Sequence, residues 1–583
     1  MLNRTGRATG PLALLLACLA ASPPATAADA AGGGAGASTG AGSGASSGTG
    51  TSSGTTSSGT GGTGSTLPTG ALPASGTIGA PAVGSTVRLG DLGQQVYQSL
   101  RFGPPSLPQP GWTAHAAIGV QEAFTDNALQ TANGQRKSDF ITTITPSLLV
   151  TGNTRLLQGT VVYAPSVLVY ASNGSQDTVD QSFNGDALVT LLPDTLFVRL
   201  QGVATQQVIG GSATPAGSTL VARNNVANTE SFSISPYLTE RFGDTGTLTL
   251  TYALSYTNQS GNTATLAGGQ PYFKGSWLVT NEESANFTTG NRFGRINDTV
   301  LVDAAQNSGQ GVLKGASQEI VTNTLRYALT RLVTVSGEIG YQRARYSGIP
   351  PLRIDGLVWQ AALRFTPGPS SSITIGYGRK DGADSGFLDA SVALTARTTL
   401  YASYTESLAT SAQALQNSLA GTTLDANGNL VSATTGAPVL LSNQSLAQQN
   451  NLSRTRQFSL TTTTRLPRDT ISLSFLHSDQ KLIATSPGFT GFSQHTTSAS
   501  IDWSHALGPY LTANAYFDYG VQSAAALGSN NTNQYTGSAS LTWQISPSLT
   551  GNLEYIATTF DQNGTGGSSV QNEILVGLQK RFF

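Results

Sequence analysis

Apolar and polar residues alternate along most of this chain, and the alternation is clearest in its last fifteen residues, Ser569–Phe583. One parity holds Ile574, Val576, Leu578 and Phe582, and the other holds Glu573, Gly577, Gln579 and Arg581. A β-strand places alternate side chains on opposite faces, so this pattern predicts a strand with one apolar face. The segments Gly537–Ile545 and Leu511–Tyr519 alternate in the same way. Strands of this kind are predicted from Trp112 to the end of the chain.

The connections between these predicted strands alternate between short and long. The short ones carry turn residues and lie at 152–154, 192–194, 242–244, 366–369, 466–469, 507–509 and 546–548. The long ones lie at 210–227, 258–276, 411–450, 485–491, 524–533 and 562–569. Short turns at one end and long loops at the other are typical of a membrane β-barrel, whose apolar face meets lipid and whose polar face meets a wet lumen.

The predicted fold is therefore all-β: a transmembrane, antiparallel, up-and-down barrel of the outer-membrane type over residues 112–583. Counting hairpins back from Phe583 gives about 22 strands. The range is about 18 to 24, because residues 277–289 and 295–305 alternate poorly. The longest loop, 411–450, contains a helix-compatible piece, SAQALQNSLA. It either folds into the mouth as a constriction or sits outside.

The N-terminal part of the chain has a different organisation. Residues 1–27 read as a secretory signal peptide, with Arg4 and Arg7 before an apolar stretch and a small-residue cleavage site at 25–27. Cys18, the single cysteine, lies inside this signal, so the mature chain would have no thiol. The context of Cys18 weakly resembles a lipoprotein box. Residues 28–79 are rich in Gly, Ala, Ser and Thr and predict a disordered linker. Residues 80–111 predict a short periplasmic segment with a helix, which either stands alone, plugs the barrel or binds a periplasmic partner.

Composition excludes several classes. The chain has 583 residues, 68 of them glycine, a net charge of −1 and only 10% charged residues. It is not basic enough for a nucleic-acid binder, so we expect no nucleic-acid partner. After the N-terminus it has no run of about 20 apolar residues, which a membrane-spanning helix would need. A low charge density suits strands that face lipid.

Parity also identifies candidate residues that line the lumen. A charge facing lipid at the bilayer midplane is costly, so charged residues on the strands are expected to point inward. The candidates are Arg199, Arg326, Glu338, Arg364, Asp389, Arg465, Asp502, Asp518 and Glu554. The four arginines lie toward the short-turn end. Because both signs are present and no ring of one sign is evident, the lining suits neutral or weakly charged solutes, or else these are solvated charges without a selectivity role.

No catalytic, cofactor or metal motif emerges, so we expect neither an enzyme nor a bound cofactor. The four histidines, at 115, 477, 495 and 505, are scattered without metal-ligand spacing. No GxSxG elbow supports a hydrolase. Aromatic girdles are predicted near the long-loop end from Tyr256, Tyr341, Tyr346, Tyr377 and Tyr404. At the short-turn end they are predicted from Phe365, Trp503, Tyr510 and Trp543.

The first hairpin carries Phe124-Thr125-Asp126-Asn127, then Ser138-Asp139-Phe140 and Pro146. With the ending VGLQKRFF, it resembles the β-barrel porins found with bacterial exopolysaccharide gene clusters. The longer barrel, the spacer and the doubled terminal Phe depart from that pattern. The resemblance implies outer-membrane passage, with an exopolysaccharide as a candidate cargo, and supplies no catalytic residues.

We therefore expect an outer-membrane channel for hydrophilic solutes. The expected partners are outer-membrane lipid and lipopolysaccharide, the barrel-assembly machinery through the C-terminal strand, and a polysaccharide or a periplasmic export component. The alternative is a non-transporting barrel that acts as a scaffold or adhesion partner of a polysaccharide machine. A TonB-type transporter would need a folded plug before the barrel, and the stretch before Trp112 is too short and too low in complexity for one.

Overall fold

The computed structural model describes residues 111–210, 225–266, 269–424, 430–432, 446–524, 531–562 and 567–582. The predicted signal peptide, the linker, all of the 80–111 segment except Gly111, and Phe583 lie outside the described residues.

The described chain forms a closed antiparallel barrel of 22 strands, which confirms the predicted fold and strand number. The strands are β1 (Gly111–Thr125), β2 (Asp139–Asn153), β3 (Leu157–Tyr163 and Ser166–Tyr170), β4 (Thr178–Asp180 and Phe183–Leu192), β5 (Leu196–Val208), β6 (Val226–Arg241), β7 (Gly246–Gly261), β8 (Ser276–Thr289), β9 (Ile296–Gly309), β10 (Ser317–Ala328), β11 (Val333–Tyr346), β12 (Leu352–Gly368), β13 (Ser371–Lys380), β14 (Ala383–Ala393), β15 (Thr398–Ala409), β16 (Leu452–Arg465), β17 (Asp469–Ala484), β18 (Gln494–Ala506), β19 (Leu511–Ala524), β20 (Thr532–Ser546), β21 (Leu549–Gln562) and β22 (Gly567–Arg581).

The barrel closes between its first and last strands. β1 pairs with β22 in register from Ala117↔Arg581 to Thr125↔Glu573. Closure leaves no open sheet edge, which in lipid would expose unpaired backbone groups. β8 and β9, the two segments that alternate poorly, pair with each other over eleven consecutive positions. Their backbone ladder therefore compensates for the irregular side-chain pattern.

The two ends of the barrel differ as predicted at most connections; the exceptions are 347–351 and 381–382, which are short although they lie at the end that carries the long loops. The turns at one end, called here the short-turn end, contain two to six residues. The long-loop end carries most of the longer connections. Their described residues form one α-helix, α1 (Ser411–Ala420), and the short hairpins Ala264–Thr265 with Pro271–Phe273 and Thr422–Leu424 with Leu430–Ser432. Short 3₁₀ turns lie at Gly174–Gln176, Asn291–Phe293 and Gly311–Leu313.

The outer surface carries the apolar parity of the strands. On β22, Ile574, Val576 and Leu578 are each about half exposed, as are Phe582 just after it, Leu553 on β21 and Leu541 on β20. Most predicted girdle aromatics are exposed on the same surface, including Trp543, Tyr510, Tyr341 and Tyr377. Tyr404 is only half-buried, and Tyr346 corrects the prediction. It is buried with Leu278, Leu408 and Leu452 under the long loops, because it shares the inner parity of Ala344.

No helix among the described residues is long and apolar enough to cross a membrane.

Candidate functional site

The lumen is occupied by the connection between β15 and β16. We call Thr410–Asn451 the inserted segment; its described parts are 410–424, 430–432 and 446–451. The segment starts with a capping box: the Thr410 hydroxyl accepts a hydrogen bond from the Gln413 amide (3.3 Å), and the Gln413 side chain accepts one from the Thr410 amide (3.0 Å). α1 follows, made largely of good helix formers. The sequence left this segment either in the mouth or outside, and the structure places it inside.

α1 leaves the wall at β15 and packs against the inner faces of β5, β7 and β8. Its apolar side chains Leu415 and Leu419 are buried against Val203 on β5. On β8, the Thr280 hydroxyl donates a 2.7 Å hydrogen bond to the Gln416 side-chain oxygen. Because β15 and β5 are ten strands apart in a ring of 22, the helix crosses the lumen rather than following the wall.

Beyond α1 the segment reaches a polar anchor, called here the latch, near the short-turn end. Arg199, the fourth residue of β5, forms a 2.8 Å salt bridge with Asp186 on β4 and donates to the Thr422 carbonyl oxygen (2.9 Å). The Thr423 hydroxyl donates to Asp186 Oδ2, the carboxylate oxygen of the same salt bridge (3.0 Å). Gln201 Nε2 donates to the carbonyl oxygens of Leu419 (3.2 Å) and Thr422 (3.1 Å). The latch therefore holds the segment at depth in the lumen.

The return leg of the segment, Leu446–Asn451, is fixed at the long-loop end. The Gln494 side chain on β18 bonds both backbone groups of Ala447, each at 3.0 Å. On the opposite side, the Gln448 amide donates to the Ile209 carbonyl oxygen beyond the end of β5 (2.8 Å). The return leg thus bridges two walls of the barrel.

The long loops around this leg pack on one another. Tyr272 and Phe492 make an edge-to-face ring contact at 5.3 Å in a buried cluster with Ile209 and Ala447. Burial raises the pKa of the Tyr272 hydroxyl above its usual value. Farther round the mouth, Gln522 Nε2 on β19 donates to the Gly210 carbonyl oxygen (3.3 Å). The mouth is therefore narrowed by loops that contact each other across it.

The predicted lumen residues fall into separate groups. Arg199 belongs to the latch. Arg326 donates to Asn297 Oδ1 (3.3 Å) and the Thr299 hydroxyl (3.1 Å) on β9, and Glu338 accepts from the Thr324 hydroxyl (2.9 Å). Arg364 interacts electrostatically with both Arg326 and Asp389, so these residues form one mixed-charge group on β10–β14.

The remaining predicted residues do not join that group. Arg465 is exposed at the short-turn end of β16. Asp502 lies on β18, and Asp518 and Glu554 are buried on the inner parity of β19 and β21. The structure thus distributes the nine residues over several walls and brings only Arg199 to the inserted segment.

Parity predicts Gln201 as inward, beside Arg199, but sequence reasoning missed the other residues that hold the segment, namely Asp186, Thr280, Gln416, Thr422 and Thr423. One local signal was present: Thr410 followed three positions later by Gln413 is a capping-box pattern that predicts where α1 begins. The wall partners are far apart along the chain, and nothing local marks them. Within the described ranges, no group of three or more His, Cys, Asp or Glu side chains could hold a metal ion.

No protein-family model and no curated protein sequence matches this chain. Several solved structures are similar in outline. The FrpB iron transporter of Neisseria meningitidis (F5-1 variant) has 11% identity and a TM-score of 0.46 over 81% of this chain and 83% of that chain. The ferric-catecholate import receptor Fiu of E. coli K12, open form, has 9% identity and a TM-score of 0.45 over 81% and 82%. The siderophore receptor PirA of Pseudomonas aeruginosa has 12% identity and a TM-score of 0.36 over 82% and 81%. Likenesses of this size establish neither a family nor a function.

Proposed function

We propose that this protein is an outer-membrane channel for hydrophilic solutes, restricted by its own inserted segment. The observation that carries the proposal is the latch, which fixes Thr422 and Thr423 to β4 and β5 deep in the lumen. The apolar outer surface supports a membrane location, and closed barrels with this surface are found in bacterial outer membranes. The proposal of transport is supported by a polar wall that encloses a segment held by hydrogen bonds, which can be exchanged for bonds to water.

The strength of the latch suits a restriction that can be released. A hydrogen bond to a charged group contributes about 1.5–3 kcal/mol. The Arg199–Asp186 pair is half-buried and partly screened by solvent, so the lower end of that range applies. Replacing one charged partner by a neutral one would then raise the released population by roughly tenfold, since about 1.4 kcal/mol corresponds to a factor of ten. A restriction held by a free energy of this size is released when a few of the latch contacts are lost.

The chemical class of the transported solute is a further part of the proposal. The inner positions of β18–β21 are mostly Ser, Thr, Asn and Gln, for example Ser498, Ser500, Asn514 and Thr536. Hydroxyl and amide groups offer donors and acceptors to sugar hydroxyls without a strong preference for charge. Together with the resemblance of the first hairpin, this lining supports passage of neutral saccharides, with an exopolysaccharide as the candidate polymer.

Single-channel conductance in planar bilayers tests the channel. We expect small or intermittent conductance for the full chain and a several-fold larger, steady conductance when residues 411–450 are replaced by a short linker. Asp186→Asn should give more frequent openings. Arg326→Gln is the matched control, because Arg326 also bonds the inner wall but does not contact the inserted segment.

The outcomes separate the alternatives. If neither the full chain nor the deletion conducts, the channel proposal is wrong and the scaffold alternative stands. If the full chain conducts as much as the deletion, the barrel is a channel but the inserted segment does not restrict it. If Arg326→Gln opens the channel as readily as Asp186→Asn, the latch is not the specific anchor.

A further inference from the structure

In the described part of the barrel, the lipid-facing surface of β8 carries polar side chains in the middle of its apolar belt. On β8, Asn281 and Glu283 have the outer parity of Trp277 and Phe287, and they lie between these two aromatic residues. Trp277 is exposed toward the long-loop end, and Phe287 contacts Phe242 near the short-turn end. Glu283 is directly paired with Tyr252 of β7, which is exposed on the outer surface. Both polar residues therefore sit within the belt rather than at its rim.

The polar character continues on β9 and β10. Asp298 has the outer parity of Val300 and Val302, and its carboxylate accepts a 2.9 Å hydrogen bond from the Asn323 amide on β10. Ala304, also on the outer parity, lies directly beside Glu283. We call Asn281, Glu283, Asp298, Ala304 and Asn323 the β8–β10 patch. On the opposite wall, β19–β22, outward residues include Phe517, Leu541, Leu553 and Val576, all of them apolar and exposed.

The hydrogen-bonding capacity of the patch is only partly used. The Tyr252 hydroxyl donates to Asn281 Oδ1 (2.8 Å), which leaves the Asn281 amide hydrogens without a partner among the described residues. Glu283 is exposed and has neither a hydrogen-bond nor a salt-bridge partner among them. A carboxylate facing hydrocarbon is unfavourable, and lipid tails offer nothing to satisfy it. This surface is therefore unsuited to lipid.

We propose that the β8–β10 patch is the contact surface of a second copy of this chain. The patch carries unused donors at Asn281 and unused acceptors at Glu283, so it can satisfy itself across a symmetry axis parallel to the membrane normal. Two copies in one membrane share their orientation, so Asn281 and Glu283 of one copy lie at nearly the same membrane depth as Asn281 and Glu283 of the other. The side chains can therefore reach one another. The small side chain of Ala304 beside Glu283 permits close approach, as small residues do between membrane-embedded elements.

A second copy fits better than a basic partner protein. A basic side chain supplies donors for Glu283 alone, whereas Asn281 and Glu283 of an identical patch supply both a donor for Glu283 and an acceptor for the Asn281 amide hydrogens. Basic side chains of this chain that point outward, such as Arg343, Arg379 and Arg456, lie near the long-loop ends of their strands and at a different height. The contact is therefore between like patches rather than between the patch and another wall.

Cysteine cross-linking in vesicles at a low protein-to-lipid ratio tests this inference. The full chain carries Cys18→Ser, with Ala304→Cys as the probe and Ala539→Cys as the matched control. Ala539 is an alanine on the outer parity of β20, on the opposite wall. We expect Ala304→Cys to link two copies and Ala539→Cys to remain monomeric. Adding Asn281→Leu and Glu283→Leu should abolish the linked species and reduce the mass in mild detergent to that of one chain.

Three results would overturn the proposal. They are equal linking at both cysteines, no linking at Ala304→Cys with a monomeric mass for the unmodified chain, and linking of Ala304→Cys in native membranes to a protein of different mass. The cross-link does not depend on conductance, so the outcome is separate from that of the channel experiment.

Discussion

At the residue scale, one glycine shows how tightly the mouth is built. Gly311, in the connection between β9 and β10, has a φ of +62°, a conformation that favours glycine. A Cβ at this position would meet the Ser486 side chain. The Ser486 hydroxyl accepts from the Val312 amide (3.1 Å) and donates to the Asn450 carbonyl oxygen (2.5 Å). The lack of a side chain at Gly311 thus leaves room for the Ser486 hydroxyl. That hydroxyl links the β17–β18 loop to the β9–β10 connection and to the return leg.

Gly311→Ala should therefore destabilise the mouth more than Gly315→Ala does. Gly315 has a nearly identical φ of +67°, and no atom lies within 4 Å of its added Cβ. Both substitutions carry the left-handed backbone cost of about 1–2 kcal/mol. Gly311→Ala adds an overpacking cost of about 1–3 kcal/mol. Thermal unfolding in detergent measures the difference, and equal midpoints for the two variants would contradict the proposed packing.

At the element scale, α1 depends on its cap as well as on its contacts. A helix of ten residues is marginal alone in water, so the capping box at Thr410 and the packing of Leu415 and Leu419 both contribute to its formation. The two contributions act at different places. The cap fixes where the helix begins, and the packing fixes which face meets β5.

Thr410→Ala should loosen α1 without unfolding the barrel. Loss of an N-cap costs about 1 kcal/mol, which corresponds to roughly fivefold faster hydrogen exchange of the α1 amides. Ser418→Ala is the control, because its hydroxyl donates back to the Ala414 carbonyl oxygen within the helix and alanine is the better helix former. Hydrogen exchange followed by mass spectrometry measures both. Equal acceleration in the two variants would show that the cap is not limiting.

At the scale of the whole molecule, the barrel separates two environments by side-chain parity alone. Leu553 and Asn552 are neighbours on β21, yet Leu553 is exposed on the outer belt and Asn552 shares the inner parity of the buried Glu554. A single position along the strand therefore decides between lipid and lumen.

Leu553→Arg should reduce the free energy of folding into phospholipid vesicles by about 2–4 kcal/mol, because arginine would face hydrocarbon near mid-strand. Asn552→Arg should cost far less, since the guanidinium would lie in the lumen beside Glu554. Urea titration of the folded fraction in vesicles measures both. Comparable losses would mean that the two positions do not face different environments.

Much of this architecture follows from local pattern. Alternation in segments such as Leu511–Tyr519 and Gly537–Ile545 predicts strands with one apolar face, and turn residues place the short connections. The strand count of about 22 follows from counting hairpins, because each antiparallel strand returns to the end where the previous one started. The outward positions of Ile574, Val576 and Leu578 follow from parity alone, since every second residue of a strand faces the same way.

The interior of the barrel was decided only by tertiary structure. The same parity rule predicts both Arg199 and Arg326 as inward, but it cannot distinguish the one that anchors the inserted segment from the one that bonds only the wall. That distinction depends on Asp186 and Thr422, more than 200 positions apart along the chain. The placement of residues 411–424 inside the lumen depends likewise on Val203 and Thr280, and the burial of Tyr346 depends on loops far from it in sequence. Period-two patterning determines which way a side chain points, because it is a property of one strand. What that side chain meets depends on the closure of the barrel, which brings distant strands to face each other.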